Sequence, residues 1–149
     1  MLKKLIELAV GETLPSSDWL TINQADINLF ADATHDHQWI HVDQQRCAEE
    51  SPFGCTIAHG YLTVTLMPQA FYQMFTSDPE HPTIFNYGVE KLRFIEPVRV
   101  NDQIRYHTRL LHVEAKPSGR LFQFSTEVEI AGRSKPAMKG VFLMLLAGA

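Results

Sequence analysis

The sequence predicts an α+β domain in which a long antiparallel sheet wraps around one buried helix. Three observations predict it. The second half carries four stretches rich in Val, Ile, Phe, Leu and Thr, separated by short turn signals. Gaps that short favour antiparallel pairing, because parallel neighbours need long crossovers. Ahead of them, residues 58–75 are apolar on more than one helical face, and such a helix belongs in an interior that a sheet can cover.

Length and composition agree. The 149 residues suit a single domain, 1–149, with one sizeable core. Hydrophobic residues make up 45% and charged ones 20%, an ordinary soluble balance. A net charge of −4 with no basic stripe argues against nucleic acid as a partner. Cys47 and Cys55, with no CxxC spacing, read as reduced thiols of a cytoplasmic protein. The apolar start, residues 1–8, is interrupted by Glu7 and followed by no small-residue cleavage site, so secretion is not expected. The 58–75 segment carries His59, Gly60, Pro68, Gln69 and Gln73, which suits a core helix better than a membrane span.

In chain order, residues 19–22 form a short extended lead-in. Asn23 is a good N-cap, Ile22 and Ile27 stand at hydrophobic-staple positions, and Asp26 puts negative charge in the first turn. Ile27, Phe30, Ala31 and Thr34 then recur at helical spacing, predicting a helix over 24–34. It delivers the chain into Asp36-His37-Gln38-Trp39-Ile40-His41. Residues 50–54 carry turn chemistry. Pro68 should kink or split the apolar helix. Strands are expected over 88–94, 103–114, 121–130 and 136–146, with hairpin turns at 116–119 and 131–132.

Asp36 and His41 are the candidate catalytic pair, since a carboxylate and an imidazole together can hold and deprotonate a water molecule. The plainer alternative is that Asp36 caps a turn and His41 lies on a loop surface. Trp39, Ile40 and Val42 favour the catalytic reading: partial burial would move both groups toward neutrality. Gly60 is the candidate backbone donor to a developing oxyanion, although close helix–sheet packing explains a glycine as well. His35, His37, His41 and His59, with Asp36 and Asp43, invite a metal reading; no metal motif such as HExxH appears, so none is expected. Phe71, Met74 and Phe75 read as core, and Asn86 and Tyr87 as a strand end or pocket lining. Arg93, Arg99 and Arg105 read as a solvated face, one of which could meet a phosphate.

Residues 30–43 and 52–62, with a further stretch from Asn86-Tyr87-Gly88 through Arg93-Phe94-Ile95-Glu96-Pro97-Val98, closely resemble the MaoC-like dehydratases, which include R-specific enoyl-CoA hydratases. Gln38-Trp39 is similar to the NodN-like subgroup, where the broader family has Asn-Pro. The resemblance implies a hotdog fold and a homodimer, or an assembly of dimers, whose sheets join. It implies an acyl-CoA thioester substrate, no metal or organic cofactor, and no membrane partner. It places Asp36 and His41 on the family's water-binding acid/base pair, Gly60 on its oxyanion donor, and Gln38 beside the substrate. His35 departs from the glycine common before the aspartate, and Pro68 falls near a serine that many hydratases carry. Two other functions fit the fold class. Thioesterases of this fold usually carry an acidic residue on the central helix, and residues 60–75 have none. A non-catalytic acyl-thioester-binding module would follow if His35 blocked the water site.

Overall fold

The computed structural model describes residues 1–149. A 3₁₀ turn (Leu5–Glu7) is followed by β1 (Leu20–Thr21), α1 (Gln24–Thr34), α2 (Trp39–Val42), α3 (Gln44–Glu50), α4 (Gly60–Thr65), α5 (Met67–Phe71), β2 (Ile84–Phe94), β3 (Gln103–Lys116), β4 (Gly119–Ile130) and β5 (Met138–Ala147). The five strands form one antiparallel sheet in the order β1-β3-β4-β5-β2. β2 therefore lies at the far edge, away from its sequence neighbour β3, and the chain crosses the end of the sheet between them.

The helix over Gln24–Thr34 forms where its pattern predicts, and the Asn23 side chain accepts from the Asp26 N–H at 2.9 Å. Ile22 and Ile27 are both buried. The apolar segment becomes two helices, α4 and α5, parted at Leu66. Pro68 stands in the first turn of α5, where a missing N–H costs no helical bond. The carbonyl of Thr63 accepts the hydroxyl of the buried Tyr106, and burial pushes that phenol well above its usual range.

Only one side of this segment is covered. Leu62, Met67, Ala70, Phe71 and Met74 are buried against Phe122, Phe124, Phe142 and Met144, whereas Tyr61 and Tyr72 stay exposed. The sheet closes over one face of the two helices and leaves the other open. β2 is also open: Phe85, Tyr87, Val89 and Phe94 are exposed along its free edge. The β3–β4 hairpin turns through Pro117 and Ser118, and Gly119 takes φ +154° where a Cβ would meet the Leu146 carbonyl. No helix is long and apolar enough to cross a membrane.

Candidate functional site

The segment between α1 and α4 is built to present polar side chains at one end of the α4–α5 pair. α1 ends at Thr34, and His35 takes the left-handed conformation, φ 63° and ψ 17°. This is the conformation a glycine adopts without strain, so the turn itself explains why glycine is common at such a position. His35 is exposed. The turn brings Asp36 to the start of the next segment, where its carboxylate is about half exposed (53%). That is more exposure than Trp39, Ile40 and Val42 suggested, because these three are themselves only partly buried.

His41, on α2, is buried at 6% exposure. Its Nδ1 lies 2.7 Å from the Ile57 carbonyl. A carbonyl can only accept, so the proton sits on Nδ1 and Nε2 keeps its lone pair. Burial is the largest influence on this ring and holds its pKa below the ordinary 6.5; the Ile57 bond and the Asp36 charge oppose that, while His59 adds to it. A neutral imidazole with a free Nε2 at neutral pH is the form a general base requires.

One atom each of Asp36, His41 and His59 lie within 4.8 Å of one another. The His59 ring stacks on His41 with centroids 3.8 Å apart and planes 22° from parallel. His59 Nε2 donates to the Asp36 main-chain carbonyl at 2.9 Å. These arrangements suit a metal ion poorly. Both hydrogen-bonded ring nitrogens are committed as donors to carbonyls, and stacked rings aim their remaining lone pairs along near-parallel planes, whereas ligands of one ion must converge.

Gly60 opens α4 as its first residue, so its N–H has no intrahelical partner. A Cβ there would sit 2.9 Å from the Phe94 ring, so close packing also demands the glycine. His41, Gly60, Thr63, Phe94, Pro97 and Val98 line a cleft of about 220 Å³. Asp36, close to His41, does not line it. Gln38 is the N-cap residue just before α2; it is exposed and outside the cleft, and its N–H lies 3.4 Å from an Asp36 carboxylate oxygen. One turn further along α4, Val64, Met67, Phe71, Tyr87, Phe142 and Met144 line a second, apolar cleft of about 290 Å³, and Asn86 joins them.

Sequence spacing did not reveal Gln24. Its Nε2 donates to the His41 carbonyl at 2.8 Å and its Oε1 accepts the Thr56 hydroxyl, so one side chain ties α1 to both α2 and the strap before α4. The same strap is fixed to the β2–β3 connection by the Ala58 N–H, which donates to the Val98 carbonyl at 2.7 Å. Only the amide's position at a helix start was visible locally; its partners lie 17 and 32 residues away.

Elsewhere, Ser16, His107 and Glu129 hydrogen-bond in series on the outer sheet face. Arg105 holds Glu129 well below the usual carboxylate range and covers Trp19. The Arg105, His107 and Glu129 side chains are each about a third exposed, and the group has the character of a surface ion pair. Arg105 is thus committed to Glu129, and Arg99 lies over the Phe53 ring. Cys47 is buried, Cys55 partly so, and both thiols are free.

A family model described as a MaoC like domain matches residues 6–131. The 3-hydroxyacyl-thioester dehydratase Z of Mycobacterium tuberculosis is 48% identical over 130 residues, 87% of this chain and 85% of the relative. Nodulation protein N of Rhizobium meliloti is 44% identical over 130 residues, covering 87% of this chain and 81% of the relative. Among solved structures, the unliganded R-hydratase PhaJ1 of Pseudomonas aeruginosa superposes with a TM-score of 0.78 at 24% identity, covering 99% of this chain and 88% of that one. The (R)-hydratase of A. caviae involved in PHA biosynthesis gives 0.75 at 21% identity, covering 94% and 98%. At such identities the two structural matches establish the fold alone.

Proposed function

We propose, starting from the fact that this chain belongs to the MaoC-like dehydratase family, that it is a hydro-lyase interconverting trans-2-enoyl thioesters and (R)-3-hydroxyacyl thioesters. The observation that carries the proposal is the buried, neutral His41 with a free Nε2, lining a cleft together with Gly60, with the Asp36 carboxylate close by. Asp36 and His41 share one water. As its oxygen attacks C3, one of the two takes the water's proton, and a proton is returned to C2 on the same face. The Gly60 N–H donates to the thioester oxygen as it gains enolate character. Positioned acid/base groups contribute about 10²–10⁴-fold and one oxyanion donor about 3–4 kcal/mol. Neither step calls for a metal or organic cofactor.

The acyl tail is assigned to the apolar cleft beside Val64 and Phe71, one helical turn from Gly60. Gln38, exposed at the start of α2, would contact the thioester's carrier end. The name of the M. tuberculosis relative supports a thioester substrate, and the names of the two solved hydratases support the R configuration. A second copy would cover the open apolar edge of β2, since an exposed strand of this length invites pairing. Two free thiols fit a reducing, cytoplasmic setting.

The test is loss of enoyl-thioester absorbance with crotonyl-CoA, with free thiol followed in parallel and the product resolved by chirality. Absorbance loss without thiol release, giving the R product, is expected. Thiol release would favour the thioesterase alternative, and no reaction across enoyl-CoA chain lengths would favour a binding module.

A further inference from the structure

We propose that His59 is a positioning residue of this site, one that holds Asp36 and His41 in register through its Nε2–H and its ring face; the inference deepens the hydratase reading and rests on it. His59 is 3% exposed, yet its Nδ1 has no hydrogen-bond partner. A phenylalanine or leucine would fill the same space without an unsatisfied polar atom, so packing alone does not account for an imidazole here.

Its contacts supply the account. The Nε2–H bond reaches the Asp36 carbonyl at 2.9 Å, and the Asp36 carboxylate stands 4.0 Å from the same nitrogen. The face of the ring lies on His41, and Phe30 from α1 backs its edge with centroids 4.9 Å apart. The next residue is Gly60. One side chain therefore touches both members of the pair and immediately precedes the oxyanion donor.

The two residues depend on it unequally. His41 has independent anchors in the Ile57 carbonyl and in Gln24. Asp36 has few: its N–H to Thr34 Oγ1 and the Gln38 N–H to its carboxylate are both 3.4 Å, long for useful bonds. It follows a residue held in the left-handed region and is half exposed. Removing the His59 donor should free Asp36 while His41 stays in place. The loss should therefore fall on kcat rather than on KM.

The experiment compares His59→Phe with His59→Gln in the full chain. Phenylalanine keeps the ring, the stack and the apolar packing but loses the donor. Glutamine loses the ring but can carry an N–H to about the reach of Nε2. Positioning predicts that His59→Phe lowers kcat at least about tenfold with KM within about threefold, and that His59→Gln keeps the higher kcat of the two even if it melts lower. A packing role predicts the opposite order, and that order would overturn the proposal. A crystal structure of His59→Phe gives a substrate-free arm: the Asp36 carboxylate should move away from His41, and an unchanged pair would also overturn it. A wild-type chain inactive on every enoyl-CoA would remove the hydratase reading, while the crystal structure would still decide the placement of Asp36.

Discussion

Replacing Gln24 by leucine should damage both stability and turnover, although Gln24 lies outside the cleft. The substitution removes the bond to the His41 carbonyl and leaves the Thr56 hydroxyl, 1% exposed, with no acceptor. A buried hydroxyl left unpaired costs about 1–3 kcal/mol and a lost bond to a partly buried carbonyl about 1 kcal/mol. The contact with Asn28 is exposed and adds little. The sum is about 2–4 kcal/mol, or a fall in Tm of roughly 5–15 °C for a chain of this length at fixed protein concentration. Urea and thermal unfolding measure it. The double variant Gln24→Leu with Thr56→Val removes both partners and should recover about 1–2 kcal/mol relative to additivity. His41 keeps its bond to Ile57, so kcat should fall only about three- to tenfold. A cost under about 0.5 kcal/mol, or strict additivity, would refute the claim that Gln24 clamps α2 to the strap.

At the α1 terminus, His35→Val should cost about 1–2 kcal/mol because a β-branched residue resists a φ of 63°, whereas His35→Gly should not destabilise and should leave kcat within about twofold; chemical unfolding and steady-state assays decide both. Gly60→Ala places a methyl against the Phe94 ring and into the cleft, so kcat/KM should fall at least about tenfold, with partial recovery when Phe94→Ala makes room. The pH profile of kcat/KM for hydration should decline below a midpoint under 6.5, because burial lowers the His41 pKa. Stability follows the same sign: the His41 contribution is complete above about 6.5, where both folded and unfolded rings are neutral. It is lost as pH falls from there through the folded value, and His41→Gln should flatten that part of the stability curve.

Local signals made much of this legible. Asn23 followed by Ile27 and Ala31 located α1, because capping and periodicity are both short-range. Pro68 announced the break between α4 and α5, and the hairpin turn around Ser118 set the β3–β4 register. α2 and α3 went unseen: at four and seven residues they are too short for a 3.6-residue period to stand out, although Asp43 caps α3 through the Arg46 N–H at 3.0 Å. β2 begins at Ile84, earlier than the pattern suggested, since bulges near Asn86 and Gly88 interrupt its alternation. In the site, Asp36, His41 and Gly60 were legible as motif positions. The roles of Gln24, Thr56 and the His59 ring were not, because each depends on contacts made across 17 residues or more.

The most direct test of the shared water is the turnover number for crotonyl-CoA hydration in Asp36→Asn, in His41→Ala and in the double variant, each with native circular dichroism. Both single variants should lose at least about a hundredfold. The double should be little worse than the poorer single, since groups acting on one water fail as a unit. Near-normal turnover in both single variants, or losses that multiply in the double, would contradict the account.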